Sequence, residues 1–375
     1  MWRRLLGWYQ THRELRDRIA CLETQLAAAT VANVPKQPRS IRPPSARRSK
    51  SLQRIAFKVA YVGWPFYGFA RHANEEQYPT VQGRILEALQ ETRLEHDPDT
   101  FSLAGRTDTG VSGVGQVVAL DMQANVPYLD ALNRFLPDTI RLMAWAPVSP
   151  TFNARLDCRS RTYRYYLDPL TARTLDVAQM QRAADFFLGK HDFSAFCRFS
   201  PSQKHHIRSI TAIRVRHDHV EIKAPSFLWH QVRCMMSILF LIGQGFESPL
   251  LVCDLLDAKL KRDYPLADPR PLVLHSCEYN PPLVWQAARQ PQRLFQHWGS
   301  YCSEQDTHAW IARACLESIQ PRHTGKAKDG YSVVLGAGRS LWTTKRYTPV
   351  QQRRATEDYQ SKRKKLSKSN KDDEG

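Results

Sequence analysis

The chain has 375 residues, 42% of them hydrophobic, enough for two or three domain-sized units with a real core. Its formal charge of +18 sits at the ends, where residues 1–54 carry 12 Lys/Arg against 3 acids and residues 339–375 carry 11 against 5, so the arms are either merely solvated or meet a polyanion, nucleic acid first. The longest apolar run, Met235 to Gly243, is too short for a bilayer, charges interrupt any secretory apolar region, and the 8 cysteines, without C-x-x-C spacing or a His cluster, read as reduced structural thiols.

Residues 1–30 hold a leucine-type stripe at Leu15, Ile19, Leu22 and Leu26. That spacing predicts a helix, packed on the body or used as a short coiled coil. The basic, acid-poor start at Met1-Trp2-Arg3-Arg4 also fits a mitochondrial presequence. Residues 31–53 are Pro/Arg-rich and read as a linker. The folded body starts near Arg54 with the alternating "IAFKVAYVG", followed by the aromatic loop "WPFYGFAR" and by "TVQGRILEALQETRL". This last segment has helical periodicity, with Thr80 as its N-cap.

"AGRTDTGVSGVGQVVAL" comes next, and it places Asp108 between an Arg-Thr pair and a glycine, expected as a loop between a helix and a strand. An acid on a Gly-flanked turn is either a turn-former or an active-site carboxylate. Arg106 stands two residues before it. No other segment offers a nucleophile–base pair, a phosphate loop or a metal set, since Gly336-Ala337-Gly338 is a lone G-x-G without a preceding strand.

Further strands are expected in "GQVVALDM", "RTYRYYL", "ITAIRVRHDHVEIKA" and "PLVLHSCEY", with helices at 177–189, 229–243 and 250–261. Helices and strands without a strict βαβ rhythm argue for an α+β fold. In "RTYRYYL", period two puts Tyr163 and Tyr165 on one face, as core residues or, for a tyrosine near an anionic cleft, as a platform for a base. "SFLWHQVRCMMSILFLIGQG" is apolar nearly all round, so the helix is buried. Arg233 within it needs an anion, either some structural carboxylate or Asp108 itself. Residues 281–340 divide into a helical, aromatic-spotted stretch at 284–318 and an irregular one at 320–340. Residues 341–375 end in "SKRKKLSK", a basic tail of nuclear-localisation composition.

"GRTDTGVSGVGQVV" resembles the signature loop of the TruA-type pseudouridine synthases. "AYVGWPFYGFA", "TVQGRILEALQETRL", "RTYRYY", "KHDFSAF" and "FLWHQVRCMM" follow the family's order over roughly Ile55 to Tyr279. The last motif, the N-terminal helix and "KRYTPVQQR" are similar to the eukaryotic branch that modifies positions 38 and 39 of the tRNA anticodon arm. The resemblance implies two pseudo-symmetric α+β halves, 54–160 and 161–280, with antiparallel sheets joined around a basic RNA-binding cleft. It makes Asp108 the catalytic carboxylate, Arg106 the residue that enters the stem, Tyr163 the stacking ring and Arg233 the ion-pair partner of Asp108. Thr109 and Ser112-Gly113 depart from the usual family residues without removing a needed group. The resemblance implies no metal and no cofactor, a tRNA or other RNA partner, no membrane, a nuclear or cytoplasmic location, and leaves a homodimer open. A non-catalytic RNA-binding or ribosome-assembly role on the same fold, and action on messenger or organellar ribosomal RNA, are the competing expectations. An unrelated Asp hydrolase would need a second carboxylate or a metal set.

Overall fold

A computed structural model describes residues 52–124, 128–168, 172–201, 203, 205–258, 262–318, 331–334, 341–344 and 347–356, with Lys362 and Lys365. The expectations for 1–30, 31–51 and the tail beyond 365 lie outside them.

Strand β1 (Leu52–Tyr61) is buried over nearly its whole length, because Ile55, Phe57, Val59 and Tyr61 face one apolar cluster and Ala56 faces another. Helix α1 (Val81–Thr92) lies under the first cluster with Val81, Ile85, Leu86 and Leu89 inward. It begins as expected: the Thr80 hydroxyl accepts from Gly83 N at 3.1 Å, and the cap is itself fixed by Glu75, whose carboxylate accepts from Thr80 N at 2.6 Å. An N-cap of this kind contributes about 1 kcal/mol.

Strand β2 (His96–Leu103) follows, then β3 (Ser112–Gln123), the short helix α2 (Tyr128–Leu132), β4 (Ile140–Pro147) and β5 (Cys158–Tyr166). Helix α3 (Val177–Asp185) precedes a separate two-stranded ribbon of β6 (Gly189–Asp192) and β7 (Ile207–Ile210). Strands β8 (Ala212–Val215) and β9 (His219–Ala224) lead to α4 (Gln231–Gly243), α5 (Leu251–Ala258) and β10 (Leu272–Tyr279). Beyond lie β11 (Gln286–Ala287), the long helix α6 (Pro291–Ser318) and the hairpin β12 (Tyr331–Val334) with β13 (Leu341–Thr344).

Nine strands make one mixed sheet in the order β11-β4-β1-β3-β10-β5-β9-β8, with β2 also paired to β3. It is mostly antiparallel. The parallel pairing is β3 with β10, and it covers only Val273 opposite Ser112 and Leu274 opposite Gly113. There the strands approach so closely that a Cβ on Gly115 would lie 2.1 Å from the His275 carbonyl oxygen, which restricts that position to glycine.

Helix α4 is the centre of the second large cluster. Each of its residues is buried except Arg233, as the all-round apolar pattern requires, and each fully buried Leu, Ile, Phe or Met side chain contributes about 1.5–3 kcal/mol. Residues 347–356 return to this cluster. The Glu247 carboxylate accepts from Tyr347 Oη at 2.5 Å and from Val350 N at 2.7 Å, Tyr347 stacks on Phe246, and Val350 is fully buried.

Three expectations need correction. His96–Leu103 is a strand, so the Asp108 loop joins two strands, not a helix to a strand. Its sequence "HDPDTFSL" conceals this, because Pro and Asp are poor strand formers and the pairing with β3 breaks register between Asp97 and Ser102. Ile140–Pro147 forms a strand beyond those expected. Within 320–340, Tyr331–Val334 is a strand, one arm of a short hairpin with Leu341–Thr344, so a strand does precede Gly336, contrary to the irregular reading of this stretch. Among the described residues no helix is long and apolar enough to cross a membrane.

Candidate active site

The loop 104–111 leaves β2 and enters β3, filling the space where β3 and β10 part. Nearly every residue of it is tied down. The Arg161 guanidinium donates twice to the Ala104 carbonyl, at 2.9 and 2.8 Å. Gln116, fully buried, accepts from Gly105 N at 3.0 Å and donates to Gly105 O at 2.5 Å. Thr107 bonds through its hydroxyl to Tyr61 Oη at 2.8 Å and through its carbonyl to Phe69 N at 3.1 Å. Gly110, at φ 79°, donates to Phe66 O at 3.3 Å in a left-handed conformation that glycine adopts without strain. Thr107 is buried between an exposed Arg106 and a partly buried Asp108. The loop is therefore held by its small residues, while its two charged side chains are presented outward.

Asp108 keeps 23% of its side chain exposed, and His230 Nε2 lies 3.5 Å from its Oδ2. Burial pushes the carboxyl up from 3.8 to about 6, and the Arg233 charge and the Trp229 indole pull it down without cancelling that effect. Arg233 comes from α4. Burial lowers its guanidinium pKa and Asp108 opposes this, while its Nε donates to the Ala267 carbonyl at 2.8 Å. Arg233 thus acts on Asp108 through space. Among the described residues, the basic group at ion-pair distance is His230.

His230 caps α4 at φ 61° and ψ 10°, a left-handed conformation that is uncommon for a residue with a Cβ and that concentrates at functional sites. This turn of the chain sets the imidazole against Trp229, 4.6 Å between ring centres, and toward Asp108. Tyr163, on β5, is half-buried and meets Phe227 edge to face at 5.2 Å. Its hydroxyl lies 3.5 Å from the place a Gly105 Cβ would take, so the ring stands beside the loop. Burial first, and the Tyr61, Cys277 and Asp108 charges after it, keep this phenol protonated. Asp108, Tyr163 and Arg233, far apart in the chain, meet here, with Arg106 on the same loop.

A groove of about 510 Å³ lined by Trp64, Tyr166, Trp298 and Tyr301 has none of Arg106, Asp108, Tyr163, His230 or Arg233 in its lining. Among the described residues no group of three His, Cys, Asp or Glu side chains is placed to hold a metal ion.

A family model described as tRNA pseudouridine synthase matches residues 183–280, the stretch that includes His230 and Arg233. The tRNA pseudouridine(38/39) synthase of Bos taurus is 33% identical over 328 residues, which covers 74% of this chain and 67% of that protein. The chain belongs to the TruA-type pseudouridine synthase family. The synthase of the same name from Saccharomyces cerevisiae is 35% identical over 262 residues, 62% of this chain and 58% of its own. The tRNA pseudouridine synthase A of Methanosphaerula palustris is 38% identical over 227 residues, 59% and 78% of the two chains. The chain thus spans little more than half of several eukaryotic relatives, 56% for the mouse protein.

Sequence reasoning passed over Tyr61, Gln116, Arg161, Trp229 and His230. Two signals were available: Trp229 and His230 sit directly before the helix that carries Arg233, and Arg161 opens the motif that carries Tyr163. Nothing in the sequence marks Tyr61 or Gln116 as loop anchors.

Proposed function

We propose that this protein converts uridine to pseudouridine in the anticodon arm of tRNA, at the positions named for its eukaryotic relatives, 38 and 39. The observation that carries the reading is a single carboxylate, Asp108, presented on an anchored loop between Tyr163, His230 and Arg233. The reaction breaks the N1–C1′ bond, turns the base while it is held, and joins C5 to C1′. The C5 proton is lost and N1 gains one, so the product is an isomer and neither oxidant nor phosphoryl donor enters. Asp108 acts on the sugar, by attack at C1′ or by removal of the C2′ proton. With its proton affinity near 6, the carboxyl is about nine-tenths ionised at neutral pH.

A base inside a stem must leave the stack, which costs a few kcal/mol. Stacking on Tyr163 returns about 1–3 kcal/mol, and Arg106 enters the stem on the flank of the displaced nucleotide and helps hold it out. The two apolar clusters on either side of the β3–β10 junction correspond, in this reading, to two related halves, and the cleft between them is the basic RNA path. The reaction requires no metal or nucleotide cofactor and proceeds in the presence of a chelator. The test is turnover of an unmodified tRNA transcript by the wild type and by Asp108→Ala, with pseudouridine mapped at single-nucleotide resolution. Signal in the anticodon arm that disappears in the variant while RNA binding persists supports the reading. Tight binding of RNA without any signal from the wild type overturns it in favour of a non-catalytic RNA-binding role.

A further inference from the structure

Arg161 is a buried cation, 8% exposed, whose hydrogen bonds among the described residues all go to backbone carbonyls. Besides Ala104, it donates to Pro225 O at 2.5 Å and to Arg155 O at 2.8 Å. One nitrogen, Nη2, serves both Ala104 O and Arg155 O, so the two carbonyls sit side by side. The turn around Arg155 is further docked on the end of β2, since Ala154 N donates to Ser102 Oγ at 3.1 Å and Ala154 O accepts from Tyr279 Oη at 2.8 Å. Within the turn, the Asn153 side chain accepts from Arg155 N at 3.0 Å and from Leu156 N at 3.1 Å, and the Asp157 carboxylate accepts from Asn153 N at 2.8 Å.

The backbone of Arg155 is thus fixed at both its N–H and its carbonyl, next to the point where the catalytic loop begins. Its side chain is exposed, as is that of Arg106 two residues past Ala104. Among the described residues neither arginine is in an ion pair with a carboxylate. The nearby acid of the turn, Asp157, is engaged by the backbone of Asn153. The charges of Arg106 and Arg161 both act against the charged form of Arg155, after burial. Three guanidinium groups gathered at one rim, two of them exposed and without a carboxylate, are held together against their own repulsion by the hydrogen bonds of Arg161. An oxyanion with several acceptor oxygens relieves that repulsion and matches the planar donor geometry of arginine.

We infer that Arg155 and Arg106 form a phosphate-binding site at the rim of the catalytic loop, which takes a backbone phosphodiester of the RNA next to the reacting nucleotide. Arg161 is the positioning residue, because it sets the Arg155 turn against Ala104. This rests on the reading of the loop as a pseudouridine synthase site. A phosphate gripped on the flank of the displaced nucleotide keeps the backbone extended while the base turns over. It also explains why the turn is fixed so fully around a side chain that makes no hydrogen bond or ion pair among the described residues.

The test is binding of the full-length protein to an unmodified tRNA transcript from about 50 to 200 mM salt, for the wild type, Arg155→Ala, Arg155→Lys, Arg106→Ala and the double alanine variant. Loss of one phosphate contact makes the slope of log affinity against log salt shallower by about 0.7–0.9. Arg155→Ala is expected to show that change and an affinity about tenfold weaker at the low-salt end, while Arg155→Lys keeps the slope. The double variant is expected to lose less than the product of the two single losses, because both side chains share one phosphate. Arg134→Ala, at an exposed arginine outside both the catalytic loop and the Arg155 turn, serves as the comparator for a generic loss of charge. The thermal midpoint of Arg155→Ala should match that of the wild type, since the side chain makes no hydrogen bond or ion pair among the described residues. An Arg155→Ala variant with unchanged slope and affinity overturns the site, as does an equal effect from Arg134→Ala. Turnover by the wild type tests the underlying reading separately: turnover with unaltered Arg155→Ala binding removes the phosphate site alone, and absence of wild-type binding removes both.

Discussion

Replacing Asp108 by Asn should abolish catalysis and at the same time stabilise the fold at neutral and alkaline pH. Burial pushes this carboxyl from 3.8 to about 6, so the folded chain binds the proton more tightly than the unfolded chain does. The sign follows by linkage. Ionising a group whose folded pKa is raised weakens the fold, the penalty grows as pH climbs from about 4 to 6, and it is constant above that. Each tenfold change in proton affinity is worth about 1.4 kcal/mol, which puts the full penalty near 3 kcal/mol. A carboxylate with 23% of its side chain exposed retains part of its hydration, so about 1–3 kcal/mol is the expected range. Asn carries the same shape without the charge. Urea unfolding at about pH 8 should therefore show Asp108→Asn more stable than the wild type by that amount, with the gap closing toward pH 4. The same ionisation should appear in catalysis, where the single-turnover rate of the wild type rises with pH through about 6 and then levels. An Asp108→Asn protein that is no more stable at pH 8, or whose advantage does not shrink on acidification, refutes the account of a carboxylate confined against its hydration.

Tyr61→Phe removes the hydroxyl that holds Thr107 and should lower stability by about 1 kcal/mol. Single-turnover kinetics should show a slower chemical step with nearly unchanged tRNA affinity, because loop placement and not RNA contact is lost. A fall in affinity with an intact rate would contradict that assignment. Glu247→Ala removes the acceptor that Tyr347 Oη and Val350 N share. Limited proteolysis should then cut within 347–356 well before the rest of the described chain, and resistance equal to the wild type would show that Val350 burial alone holds the segment.

Much of the framework is legible in the chain because it is written in short periods. The alternation in β1, the Thr80 cap and the all-round apolar helix that isolates Arg233 each depend on residues within a turn or two of one another. The aspartate, the loop arginine and the tyrosine of β5 can likewise be named from ordered local motifs. Strand β2 could not, since its Pro and Asp content opposes a strand and only the edge of β3 imposes one.

The candidate site itself was decided by tertiary structure. Arg161 joins the carbonyls of residues 104, 155 and 225, which no sequence spacing relates. The left-handed turn at His230 is not readable from its side chain, and it is what brings an imidazole to 3.5 Å from Asp108. The proton affinity of Asp108 also lay beyond the sequence, which leads one to expect Arg233 to keep the acid ionised, whereas burial is the larger effect. Identity and local periodicity are properties of neighbours along the chain. Desolvation and the balance of charges depend on which groups folding encloses together, and only the packed structure determines that.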